Sequence, residues 1–322
     1  RTLITFAQGA LRSHPYLFAE IEALQDPDAE RGLERFERML DAHAAFTLSN
    51  AAGAFWHNVT FGAFAAPPAD AGATRRWWRQ LARAARSFAL VADLTVALLG
   101  GGLKVKQKIT GRMADALAEL YLLSAVLKRF DDDGRPKEDL KLVDYCARNC
   151  LYRFDQALLG VVRNFPRRWA AWLMTPLVFP FGARRRPASD REGREIVRAA
   201  LEPGAFRDRL TRDIFISDDP ADRAGLLDYT LKRVVACEEA DRKLEGAIRK
   251  GDVKRFHGRD WIAEAEAKGI LSESEALALA ELRDLVARVI AVDDFSAEEL
   301  ARVWQSAPQE RGAARPEHLA AE

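Results

Sequence analysis

Cysteine is scarce in this chain: Cys146, Cys150 and Cys237 are the 3 thiols among 322 residues. So few suit a reducing compartment better than a disulfide scaffold. Cys146 and Cys150 lie four apart on a predicted helix, a spacing that can aim two sulfurs at one ligand. No histidine or third cysteine is close in sequence, so they read as small buried thiols. An excess of charge is also lacking, with Lys+Arg 49 against Asp+Glu 48 and a net +1. That balance argues against a nucleic-acid partner. HEXXH, GxSxG and GxGxxG are all missing. His14, His43, His57 and His257 are scattered, with no Ser, Cys or carboxylate at a spacing that suggests a triad. Strand-like alternation is rare, and nothing resembles a signal peptide.

What is there is helical periodicity over a 48% apolar composition, enough for a large core. Helices are predicted over 2–11, 33–63, 75–99, 104–130, 138–163, 192–201, 226–250, 261–268 and 272–290. Ser272 is a candidate cap with Glu275 three residues later, and Ser296 with Glu299 reads as a second capping box after Asp293 and Asp294. Ala66–Ala73 reads as a linker by its Pro and Gly content, and the stretch around Asp208–Gly225 as loop. Gly100–Gly102 precede Lys104, Lys106 and Lys108, but no strand leads in and no GK[ST] follows. They read as a kink or close helix crossing and not as a phosphate loop. Asp131–Asp133 reads as a solvated helix terminus. Trp77 and Trp78, set among arginines, read as the buried side of a helix.

Four strings occur in order: GGGLKVKQKITGRMADALAELYLLSAVLKRF (Gly100–Phe130), NFPRR (Asn164–Arg168), PASDREG (Pro187–Gly193) and AVDDFSAEEL (Ala291–Leu300). In that order and spacing they resemble the C-terminal part of the bacterial long-chain acyl-CoA dehydrogenases. The resemblance implies an all-α fold. Residues 1–65 would end the dehydrogenase's C-terminal helical bundle, 74–304 would form an additional helical-bundle domain, and 305–322 a disordered tail. It implies an FAD-dependent parent that converts acyl-CoA to trans-2-enoyl-CoA in fatty-acid β-oxidation. Arg1 resembles the arginine that closes the family's Glu-Gly…Arg stretch, which implies a catalytic glutamate just upstream of Arg1; in keeping with that, the first carboxylate here is Glu20. No catalytic, cofactor-binding or metal-binding residue is then expected in this chain, and FAD belongs to the full-length enzyme. Expected partners are the upstream flavin-binding domains, long-chain acyl-CoA as the parent's substrate, and a second copy in a homo-oligomer. The expected location is cytoplasmic, with peripheral attachment to the inner membrane open.

Gly160–Ser189 carries six arginines and no acidic residue. Between Arg167 and Arg168 on one side and Arg184, Arg185 and Arg186 on the other runs WAAWLMTPLVFPFGA. It is too short to span a bilayer, and Pro176 and Pro180 interrupt it. Trp169, Trp172, Leu173, Leu177, Phe179 and Phe181 are the candidates to enter a membrane surface, with the arginines on lipid phosphate. Burial in the core or a domain interface, and contact with a partner enzyme, stay open. So does a stand-alone helical membrane scaffold without enzymatic activity.

Overall fold

The computed structural model describes residues 14–217, 219, 222–255, 260–291 and 295–306. Among them there are thirteen α-helices and no strand. The predicted helix over 2–11, the turn at Asp293 and Asp294 and the tail beyond Ser306 lie outside the described residues, and so does the side chain of Glu299.

The first unit runs to Ala200. A short helix, α1 (Leu17–Leu24), leads into α2 (Ala29–Val59). Asp28 starts α2 by accepting hydrogen bonds from the Glu30 and Arg31 N–H groups, satisfying donors that a helix N-terminus leaves orphaned. At Gly32 the two helices nearly touch: a Cβ there would sit 2.8 Å from the Ala23 carbonyl oxygen. α3 (Arg75–Leu99) follows the linker, and a 3₁₀ stretch over Gly100–Lys104 turns the chain into α4 (Gln107–Asp132). The glycines serve that turn, with Gly100 at φ +47, and nothing lies within 4 Å of a Cβ built on any of the three, so no helix crosses there. α4 and α5 (Leu140–Arg163) form a hairpin, then come α6 (Arg168–Val178) and α7 (Asp190–Leu201).

Periodicity explains the packing. Met113, Leu120, Leu123 and Leu127 of α4 share one core with Val143, Leu151, Phe154 and Leu158 of α5. Each fully buried side chain of this size contributes about 1.5–3 kcal/mol relative to exposure. Ala54 of α2 belongs to the same core as Trp77, Ala84 and Leu90 of α3. The linker at 66–73 therefore does not separate two domains. The division falls near Leu201 instead, because the apolar stripe of α2 has its complement on α3 and α6. Gly72–Lys104 is, among the described residues, the one helical stretch long and apolar enough to cross a membrane. Eight α3 residues, including Trp77, Leu90, Val91 and Val96, are nevertheless buried within the bundle.

The second unit begins at Leu201. It contains α8 (Ala205–Thr211), α9 (Arg223–Ala236), α10 (Glu238–Lys250), α11 (Trp261–Ala267), α12 (Glu273–Ile290) and α13 (Ala297–Ser306). Residues 208–211, expected as loop, are helical, and the single helix expected over 226–250 is broken at Cys237. Leu244, Val253, Ile262, Leu271 and Leu279 form its small core. Ser272 and Glu275 make the reciprocal capping box that opens α12.

Candidate functional site

The arginine-flanked segment folds as α6, and its two faces have different fates. Ala170, Ala171, Met174 and Val178 are buried, while Trp169, Trp172, Leu173 and Pro176 share the opposite face at i, i+3, i+4 and i+7 and are exposed. Trp172 is 78% exposed and Trp169 57%. Arg163, Arg167 and Arg168 surround that end in solvent, and the Arg168 guanidinium donates to the Arg163 carbonyl at 3.0 Å. Beside this face, α2, α3 and α6 border an open apolar groove of about 670 Å³, walled by Leu40, Leu48, Phe55, Leu94, Leu173 and Leu177.

Three of the sequence candidates sit differently from the expectation. Phe179 is buried in the bundle core, since the chain turns inward after Pro176 and Val178. Leu177 is half-buried against the same core. Arg185 turns inward to Asp155, its Nη1 donating to Oδ1 at 2.6 Å. Phe181 is exposed but stacked on Phe61 with ring centroids 5.5 Å apart. Arg184 donates to the Phe181 carbonyl at 2.8 Å, and Arg186 is exposed.

A second constellation was invisible in the sequence. His43 Nδ1 lies 2.8 Å from Glu20 Oε1 and its Nε2 lies 2.9 Å from Asp93 Oδ1. His14 Nε2 reaches the same Asp93 oxygen at 2.9 Å, and the Thr47 hydroxyl donates to Oδ2 at 2.6 Å. Two of the scattered histidines, His14 and His43, thus converge on one carboxylate. His14 Nδ1 accepts the backbone N–H groups of Tyr16 and Leu17, so its Nε2 carries the hydrogen and donates to Asp93. A metal on that Nε2 would force an N–H against those two donors, and the group works as a hydrogen-bonded clasp between α1, α2 and α3. It contains no activated nucleophile.

The third is a partly enclosed pocket of about 230 Å³ between the end of α2, α3, α5 and the loop after α6. Arg83, Asp155, Arg184 and Arg185 are its charged groups, and Asn58 and Gln80 hydrogen-bond the Arg83 and Arg185 guanidiniums. Burial pushes the Asp155 carboxyl up against the pull of the two arginines.

The remaining candidates are structural. Cys150 is buried and Cys146 half-buried; burial and the Glu119 carboxylate push the Cys150 thiol up to about 12. Asp131, Asp132 and Asp133 pair with Arg135, Lys128 and Arg129. Trp77 is in the core with its indole N–H on Asp144 at 2.6 Å.

The family model described as acyl-CoA dehydrogenase, C-terminal, bacterial type matches residues 11–295. No solved structure matches the chain.

Proposed function

This chain belongs to the bacterial-type acyl-CoA dehydrogenase C-terminal family, and from that premise we propose that it docks its parent flavoenzyme on an anionic membrane surface through α6. The parent reaction is the α,β-dehydrogenation of a long-chain acyl-CoA. For that reaction FAD would supply the acceptor for the β-hydrogen, and a glutamate would serve as the base for the α-proton. The 670 Å³ groove is almost wholly apolar, and Gly100–Gly102 form a turn rather than a cradle at the mouth of a nucleotide site. The role assigned here is accordingly one of attachment and scaffolding.

The observation that carries this reading is the exposed pair Trp169 and Trp172 on one face of α6, ringed by Arg163, Arg167 and Arg168. Indole rings favour the headgroup zone and guanidiniums favour lipid phosphate there. With eleven residues, α6 is about 16 Å long and can only lie in the interface. The opposite face is already committed to the core, so binding needs no unfolding.

Sedimentation of the chain with phosphatidylglycerol vesicles tests this. Binding should weaken on phosphatidylcholine, fall as salt rises, and drop in a Trp169→Ala, Trp172→Ala double variant that melts like the parent. If the chain ignores anionic vesicles but binds the purified upstream domains, and loses that binding in the double variant, α6 is a domain interface and the membrane reading is wrong.

A further inference from the structure

We propose that the pocket around Arg83 and Arg185 binds the carboxylate of a medium-chain apolar acid. Three guanidiniums line this pocket: Arg184 is exposed and donates to the Phe181 carbonyl at 2.8 Å, while the two inner ones, Arg83 and Arg185, share a single carboxylate. Arg185 takes it, with Nη1 on Asp155 Oδ1 at 2.6 Å, and places Nη2 on Gln80 Oε1 at 3.2 Å. Arg83 is left with neutral acceptors, its Nε on Asn58 Oδ1 at 2.8 Å and its Nη1 on Gln80 Oε1 at 3.5 Å. Asp155 acts on Arg83 only through space and makes no hydrogen bond to it, so a bound anion in direct contact would relieve the cost of that half-buried charge. Burial first, and then the charge of Arg185, hold Arg83 down at about 10.

The charge count selects the head group. The inner pair Arg83 and Arg185 against Asp155 leaves one positive charge at the buried end, which a carboxylate neutralises, with Arg184 exposed at the rim. The walls select the body, because Phe61, Phe154, Val178, Phe179 and Phe181 line the cavity. Its volume, about 230 Å³, at roughly 30 Å³ per water-sized group leaves room for about seven or eight heavy atoms. Hexanoate has that size. The wall is also held in an uncommon conformation: Phe61 sits at φ +53, with its carbonyl accepting from Gln80 Nε2 at 2.7 Å. Left-handed backbone at an aromatic residue persists only where its surroundings enforce it.

Calorimetric titration of the 322-residue chain with hexanoate, hexanol and inorganic phosphate tests the assignment. Saturable one-to-one binding of hexanoate is expected at millimolar concentrations, without binding of hexanol. Arg83→Gln should weaken it at least about tenfold, the loss of one charge-assisted contact. Unchanged affinity in a folded Arg83→Gln chain, phosphate binding as tight as hexanoate, or no saturable binding overturns it. Should Arg83→Gln not fold, phenylglyoxal labelling of the unmutated chain decides. Protection of Arg83 by hexanoate supports the site, and equal labelling with and without hexanoate refutes it.

Discussion

His43 donates its Nε2–H to Asp93 Oδ1 at 2.9 Å, joining the middle of α2 to the C-terminal third of α3. Its other nitrogen faces Glu20 at 2.8 Å. Ionised carboxylates only accept, so two such partners favour the form with hydrogen on both ring nitrogens, the imidazolium. Burial opposes that charge, but the hydrogen bonds to Asp93 and Glu20 and their negative charges outweigh it and raise the His43 pKa above the ordinary 6.5.

A pH dependence follows with a definite sign. Because the folded-state pKa is raised, the stabilisation is complete below about 6.5 and is lost as pH rises through the folded value. Thermal melts should therefore show a midpoint that falls on the alkaline side. His43→Gln should flatten that part of the profile and cost roughly 3–5 kcal/mol at about pH 6, since two buried carboxylates lose their cation. A variant with the same profile as the parent would take His43 out of the titration.

The two faces of α6 predict opposite responses to truncation. Met174 is fully buried, so Met174→Ala should cost about 2–5 kcal/mol in urea unfolding. Trp172 is 78% exposed, and Trp172→Ala should stay within about 0.5 kcal/mol of the parent. Comparable losses from both would mean that Trp172 packs against protein.

Cys150 should be inert. With its thiol pushed up to about 12, the thiolate that attacks disulfide reagents is scarce at neutral pH. Ellman's reagent should leave Cys150 unlabelled in the native chain and label it once urea unfolds the protein. Fast native labelling at this position would contradict its burial.

Gly225 cannot take a side chain without moving backbone. A Cβ there would stand 2.2 Å from the Ser217 carbonyl oxygen, and that atom belongs to the main chain just before α9. Gly225→Ala should destabilise the second unit by about 1–3 kcal/mol, the range of an overpacked site. Hydrogen exchange should report the loss in α9 and α12 while α4 and α5 keep their protection. An unaffected α9 would mean that the Ser217 loop yields freely.

Much of the helical order was legible because its signals are local. Residues 75–99 and the end of α5 at Arg163 were readable from periodicity, and Ser272 with Glu275 from the capping box. The family resemblance, too, rested on strings that can be read without coordinates. Position in the bundle was not local. His14 and His43 reach Asp93 from 79 and 50 residues away, and Arg185 reaches Asp155 from 30. No spacing rule along one helix encodes which helix lies opposite.

The sequence by itself therefore determined an all-helical chain of this family with an arginine-flanked aromatic segment, because hydrophobic period, caps and composition act over a few residues. Tertiary packing decided the rest. It turned Phe179 and Arg185 inward, left Trp169 and Trp172 outside, and put the domain division near Leu201. The physical reason is that each helix can bury only one stripe, and its neighbours select which residues of that stripe leave water.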